Sequence, residues 1–415
     1  MHSHQDVVVI GGGIIGLACA YYLVKENKSV TLIDQGRIGS GASHGNCGLL
    51  HFSGVIPLCS PGTVKHEITR FLKGTSPLYI KPTTDIDLYK WLIRFAASCN
   101  SSHMTGASTA KSEIMRYSFD LFNTLFETES LACDLEKKGV LYLFKDEAYF
   151  EKYARTSAFL DQYDFGAVRL DRYAVRELEP AVNERVVGGW FNDHDWHVRP
   201  DMLVSAWKKC LAGKGVQIIE NCKHLDFEIT SNRVVHANTG TGQLSADTFI
   251  LTTGAWSADI KQQLDLNIPV QPGKGYSLTM EKPAVCPQIP CLLYERNMVA
   301  TPWQSGYRLG GTMEFSGFND ILNKKRLNRL ISGATEYLRD STEHMIVEEW
   351  SGLRPMTYDD LPVIGRSPLQ GNLFLATGHG MLGLTMATGT GKAVSDLVCH
   401  GRTDIDLSPY SVGRF

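Results

Sequence analysis

Asp6-Val7-Val8-Val9-Ile10-Gly11-Gly12-Gly13-Ile14-Ile15-Gly16 stands almost at the start of a 415-residue chain. Val7 to Ile10 is an apolar, β-branched run, the pattern of a parallel strand buried on both faces. Gly11, Gly13 and Gly16 follow at the G-x-G-x-x-G spacing. Ile14 to Lys25 reads as a helix. Val30-Thr31-Leu32-Ile33 reads as a second strand and ends in Asp34, eighteen positions after the last glycine. In such a βαβ unit the first glycine makes the tight turn and the second lets a pyrophosphate approach. The third lets the helix pack against the strand. The helix start offers free N–H groups and partial positive charge to phosphates. Asp34 can accept hydrogen bonds from both ribose hydroxyls. The order of elements is the one a dinucleotide site requires; a ligand-free glycine turn in a doubly wound sheet is the alternative. Expected cofactor contacts are Gly11, Gly13, Ile14, Ile15, Gly16, Asp34 and Gln35. FAD and NAD both remain open from this motif.

The length and a hydrophobic content of 43% imply a large core and more than one domain. Net charge is −3, from 41 basic and 44 acidic residues, and no long basic run occurs. Nucleic acid is therefore not expected as a partner. No apolar run reaches membrane-spanning length. A core strand so near the first residue leaves no room for a cleavable signal peptide. The ten cysteines are scattered, with Cys286 and Cys291 the closest pair, and none has metal-ligand spacing. The expectation is reduced thiols in a cytoplasmic protein without a metal.

After Asp34, residues 36–48 are rich in glycine and small side chains. This suits backbone lying against phosphates or a flat ligand, or else a flexible surface loop. Leu88, Trp91, Leu92 and Phe95 recur at helical spacing. A longer helix is expected over 108–138, with Met115, Phe119, Phe122 and Phe126 on one face. Strands are expected at Val140–Phe144 and Val187–Phe191, a charged linker or helix at Arg169–Leu178, and a helix from about Val198 to Leu211. Further strands fall at Gly215–Glu220, Val234–Ala237 and Thr248–Gly254. Residues 269–313 alternate as antiparallel strands, and a polar helix covers about 321–339. Leu373–Ala376 is a last strand. The glycine loop Thr377-Gly378-His379-Gly380-Met381-Leu382-Gly383 is read as opening a helix from Thr385 to Cys399. Two anion-friendly helix starts suggest a ligand with two polar ends, such as FAD.

The chain resembles the D-amino-acid oxidase superfamily, and most of all its bacterial FAD-dependent D-amino-acid dehydrogenases. Carriers of the resemblance are the N-terminal fingerprint, Gly41-Ala42-Ser43, Asn46-Cys47-Gly48 and Lys274-Gly275-Tyr276-Ser277-Leu278. The more specific ones are Gly310-Gly311-Thr312-Met313-Glu314-Phe315-Ser316-Gly317, Gly352-Leu353-Arg354-Pro355-Met356-Thr357 and Gly378-His379-Gly380. The resemblance implies an α/β fold: a glutathione-reductase-type FAD-binding Rossmann domain plus an α+β substrate domain with a mixed, largely antiparallel sheet. The expected division is 1–80, 195–265 and 345–415 for FAD, and 81–194 and 266–344 for substrate. It implies oxidative deamination of a D-amino acid, of D-proline or hydroxy-D-proline type among others, to an imino or keto acid. Electrons would pass to a quinone or another acceptor. A glycine- or sarcosine-type oxidase using O2 is the alternative; an NAD-binding structural or regulatory protein is a reading from another class.

By the same resemblance, Arg354 in a Gly-Leu-Arg-Pro turn would bind the substrate carboxylate; a structural pairing with Asp359 or Asp360 is the plain alternative. His379 invites a general-base role, but hydride transfer to flavin needs alignment more than a strong base. The Met381 carbonyl is expected to accept the substrate amine. Tyr276 is expected as a substrate contact or as sheet core, and Lys274 as a turn lysine near the flavin or in solvent. Further implied cofactor contacts are Ser43, His44, Gly45, Asn46, Cys47, Gly48, Leu49, His224, Thr253, Gly254 and Trp256. The C-terminal set is Gly378, His379, Gly380, Met381, Leu382, Gly383, Leu384 and Thr385. A covalent flavin link at Cys47 is not expected. Phe71, Leu72, Trp91 and Phe95 among Lys65, Arg70, Lys73 and Arg94 suit either a peripheral contact on the inner face of the cytoplasmic membrane or an ordinary domain cover.

Overall fold

The computed structural model describes residues 5–72, 76–223, 225–240, 242–339 and 345–415. Two sheets dominate it. The first runs, in spatial order, Gln217–Ile219, Val30–Ile33, Gln5–Ile10, Gly242–Leu251 and Leu373–Thr377, all parallel. Val7, Val8, Val9 and Ile10 are each 3% exposed or less, as helices on both faces require of a parallel sheet. An antiparallel ribbon, Leu225–Thr230 and Arg233–Thr239, extends from Gly242–Leu251.

The helix Ile14–Lys25 packs on this sheet beside Ala387–His400. A Cβ on Gly391 would stand 2.6 Å from the Ala18 carbonyl carbon, so bare glycine sets how closely these helices approach. On the other flank, a Cβ on Gly389 would stand 2.5 Å from Ser118 Oγ, and Thr388 Oγ1 donates to the Ser118 carbonyl at 3.0 Å. The long helix Ser101–Thr128 thus packs into the core of the nucleotide half, through Ile114, Met115, Phe122 and Leu125.

The second sheet has nine strands. Its order is Ile346–Met356, Gln271–Met280, Gly306–Phe315, Met298–Trp303, Cys291–Leu293, Val140–Phe144, Gly188–Asn192 and Val168–Asp171, with Leu78–Ile80 paired to the end of Gly306–Phe315. Lys324–Ala334 covers one face. The chain therefore crosses the expected division at three places. Leu78–Ile80 and Ile346–Met356 join the second sheet, and Ser101–Thr128 joins the first domain's core. No helix among the described residues is long and apolar enough to cross a membrane.

Two local expectations are corrected. Arg354 and Lys274 lie in strands, not turns, because Gly352–Met356 and Gln271–Gly275 pair with each other in register. The final helix begins at Ala387, not Thr385; residues 378–384 form successive turns, tied by Leu382 N–H to the His379 carbonyl and Met386 N–H to the Leu382 carbonyl.

Candidate functional site

A cavity of about 1730 Å³ runs between the two sheets. That exceeds the roughly 300–1,000 Å³ usual for a drug-sized ligand. Its walls include Gly11, Gly13 and Asp34 from the first βαβ unit, Met381 to Leu384 from the C-terminal turns, and Arg354 from the second sheet.

The fingerprint glycines have separate physical reasons. Gly11 has φ +109°, and a Cβ there would stand 2.4 Å from the Thr252 carbonyl oxygen. A Cβ on Gly16 would stand 1.9 Å from the Gly11 carbonyl oxygen. Protein packing forbids side chains at both. Gly13 is different: a Cβ there meets only Ser43 Oγ, at 3.3 Å, and otherwise enters the cavity. Thr252 Oγ1 holds the turn by donating to the Gly11 carbonyl at 2.6 Å.

Asp34 accepts from Gly12 N–H at 2.7 Å through Oδ2 and from Gly36 N–H at 2.8 Å through Oδ1. An ionised carboxylate has about four lone-pair sites, so acceptor capacity remains for a diol. Desolvation raises its pKa, with both backbone bonds acting the other way. Glycine backbone open to the cavity at Gly13 and a carboxylate with spare acceptor capacity at Asp34 fit the pyrophosphate and ribose of a dinucleotide. The residues present therefore fit FAD.

Cys47 and Leu49 also line the cavity, as do Ile14, Ile15, Gln35, Ser43, Gly45, Asn46, Gly48, Thr253, Gly254 and Trp256. Ser43 Oγ accepts the Ile14 N–H at 2.9 Å. Asn46 braces its loop, donating to the Ala42 and Ser43 carbonyls at 3.2 and 3.1 Å and accepting from Gly48 N–H. Burial pushes the Cys47 thiol up, against the pull of Arg354 and Arg308. A thiol kept protonated is a poor nucleophile.

Four expected contacts do not line the cavity. Gly16 is consumed in helix–strand packing. His44 turns away, its Nε2 2.7 Å from Glu348 Oε1, because the loop has a second anchor in the long strand. Gly378 packs against Thr357, and Thr385 Oγ1 accepts from His51 N–H at 2.9 Å. His224 lies outside the described residues, as does Lys73 of the proposed membrane patch.

The face of the second sheet decides the rest. Arg354 lies across Gly275; a Cβ on that glycine would stand 2.3 Å from the guanidinium carbon. Arg354 Nη1 donates to the Thr312 carbonyl at 2.9 Å. The acids that sequence offered it are engaged elsewhere: Asp359 with Arg414 at 2.7 Å, and Asp360 with the buried Lys111. Among the described residues no carboxylate pairs with Arg354. Desolvation pulls its pKa down, a sign that an anionic partner would be welcome.

Tyr276 is one residue from Gly275, so its side chain points to the opposite face. It is 2% exposed, and its hydroxyl donates to Glu314 Oε2 at 3.2 Å, which Arg326 Nε approaches at 2.7 Å. It belongs to the sheet core and also borders the cavity. Lys274 shares that face, 1% exposed; its Nζ donates to Asn319 Oδ1 and the Ile321 carbonyl at 2.6 and 2.5 Å.

His379 is buried, with Nε2 3.0 Å from Thr390 Oγ1, and burial lowers its pKa to about 3. Neutral and occupied, it is unsuited to act as a base. Its neighbour Gly380 donates its N–H to the Pro355 carbonyl at 3.0 Å, which couples the C-terminal turns to the Arg354 strand. Met381 is 50% exposed and lies at the wall. Phe71, Trp91 and Phe95 also line the cavity, which accounts for part of the apolar patch read from sequence.

Glu67 and Ser76 also line the cavity and were not among the expected contacts. The available signal was the stripe Thr63, Val64, Glu67, Ile68 and Phe71, which repeats at helical spacing.

The family model described as FAD dependent oxidoreductase matches residues 6–397. A D-amino acid dehydrogenase of Vibrio atlanticus (strain LGP32) is 30% identical over 422 residues, covering 99% of this chain and all of its own. One of Neisseria meningitidis (serogroup C, strain FAM18) is 30% identical over 417 residues, with the same coverage. Among solved structures, L-proline dehydrogenase from P. horikoshii superposes with a TM-score of 0.79 at 19% identity, over 100% of this chain and 98% of its own. Glycine oxidase from Geobacillus kaustophilus gives 0.79 at 24% identity, over all of both chains.

Proposed function

The chain belongs to the FAD dependent oxidoreductase family, and from that premise we propose that it oxidises a D-amino acid to the imino or keto acid and passes the electrons to a quinone or another acceptor. A substrate of D-proline or hydroxy-D-proline type falls within this reading. The full-length match to D-amino acid dehydrogenases supports the substrate class. The observation that carries it is Arg354, a cation in the cavity wall without an acidic partner among the described residues.

Bound FAD would supply the two-electron acceptor for the hydrogen leaving the substrate α-carbon. Gly11, Gly13, Asp34 and the turns at 380–384 would hold the FAD. Arg354 binds the α-carboxylate through its two-pronged donor edge, which fixes two points of a planar group and hence the orientation of the Cα–H bond. Gly275 leaves room for the guanidinium. The Met381 carbonyl accepts the amine N–H and so orients the amine nitrogen. Buried Cys47 makes no covalent link, and the FAD is held non-covalently. The ten free thiols suit a cytoplasmic location. The exposed Leu72 beside Lys65 suits a peripheral membrane contact through which a quinone could be reached.

Turnover with an artificial electron acceptor on matched D- and L-amino acid panels tests the reading. Activity confined to D-amino acids, without hydrogen peroxide in air, is expected. Stoichiometric peroxide from glycine or sarcosine would establish the oxidase alternative instead.

A further inference from the structure

The helix Thr63–Leu72 turns one stripe to the cavity: Thr63, Val64, Glu67, Ile68 and Phe71. Apart from Thr63 and Glu67 this wall is apolar. Glu67 is a part-exposed carboxylate on this stripe, and polar groups answer it. Ser76 Oγ donates to Glu67 Oε2 at 2.8 Å, and Arg70 Nη1 lies 3.4 Å from Oε1. His66 Nδ1 is 3.6 Å from Oε1. Arg70 is itself anchored on the Glu295 carbonyl at 2.7 Å.

Glu67 is linked to Arg354 by a short path. Ser76 adjoins Pro77, whose carbonyl accepts the Met313 N–H at 3.2 Å; Met313 adjoins Thr312, whose carbonyl accepts from Arg354. Both ends of the path border one cavity. Because both residues line this cavity, an amino acid held by its carboxylate at Arg354 shares it with the polar acceptor Glu67.

We propose that Glu67, supported by Ser76, is the subsite for the substrate's side chain, and that this side chain carries a hydroxyl donor. This rests on the reading of Arg354 as the carboxylate anchor. Arg70 already balances the charge of Glu67, so a neutral donor is answered better than an ammonium. An acidic side chain would be repelled. The carboxylate has lone pairs beyond those met by Ser76 and Arg70, and a hydroxyl fills one of them.

The test compares kcat/KM for D-threonine against D-valine, and for D-serine against D-alanine, with the L antipodes alongside. The members of each pair differ chiefly by a hydroxyl. The hydroxylated member is expected to win by about tenfold or more, the size of one hydrogen bond to a charged group. Glu67→Leu should invert the preference, and Ser76→Ala should weaken it. If the leucine variant loses its FAD, Glu67→Gln replaces it and should narrow the preference. No preference in the native enzyme, or one unmoved by these variants, overturns the subsite and leaves the D-amino acid reading standing. Turnover of L antipodes alone overturns that reading, while the hydroxyl preference still decides the subsite. If neither hand is turned over, both fail.

Discussion

The guanidinium of Arg354 occupies the space that Gly275 leaves empty: a Cβ on that glycine would stand 2.3 Å from each of its carbon and Nη2 atoms. The two residues lie on neighbouring strands whose register places Gly273 opposite Arg354 and Gly275 opposite Gly352. A glycine in the middle of a strand weakens it, so its presence there marks a close approach. Gly275→Ala should displace the arginine without touching the dinucleotide turn. The expected result is about a 100-fold fall in kcat/KM with FAD content unchanged. Kinetics like those of the native enzyme would show that Arg354 has room elsewhere.

The fingerprint glycines separate ligand binding from folding. Gly13→Ala places a methyl group towards the cavity and should lower FAD occupancy while the apoprotein keeps its melting temperature. Gly16→Ala places one 1.9 Å from the Gly11 carbonyl oxygen. It should destabilise the apoprotein itself, by about 1–3 kcal/mol as overpacking does. Calorimetry of the two apoproteins, beside their flavin absorbance, distinguishes these effects.

His379 sets a pH dependence of stability whose sign follows from its burial. Its pKa is lowered from 6.5 to about 3 in the folded chain. Between these values the unfolded chain holds a proton that the folded chain does not, so stability rises with pH through that window. Relative to His379→Gln, the native protein should therefore lose stability as pH falls from neutrality towards about 4. The pH profile of kcat/KM should keep its shape in the variant, since a neutral imidazole bonded to Thr390 supplies no base. A new or missing limb in that profile would contradict this.

The first βαβ unit was legible because every requirement is local: strand, turn, helix, strand and acid lie within residues 6–34. The strand at 140–144 was legible as a short apolar run, all of it buried, and the strands within 269–313 from their succession along the chain. What escaped was set by pairing between distant segments. Tyr276 and Gly275 are adjacent in sequence, yet they face opposite sides, and only the register with Ile346–Met356 says which side is the cavity. Lys274 looks like a turn residue beside Pro272 and Gly273 until that pairing is known. His44 sits in a cofactor-like loop but is drawn off by Glu348, 304 positions away. The docking of Ser101–Thr128 on Ala387–His400, where Ser118 meets Gly389, leaves no mark in either segment alone.

We propose that Arg354 anchors a substrate carboxylate in the cavity. Anaerobic reduction of the enzyme-bound flavin by a D-amino acid, compared with its carboxamide, tests this most directly in the native enzyme and in Arg354→Gln. The native flavin should be reduced far faster by the acid than by the amide. The variant, with its FAD retained, should lose about 100-fold in the rate constant per substrate concentration for the acid and little for the amide, the expected size for a charge-assisted bidentate contact. Equal discrimination between acid and amide in both proteins would contradict the account.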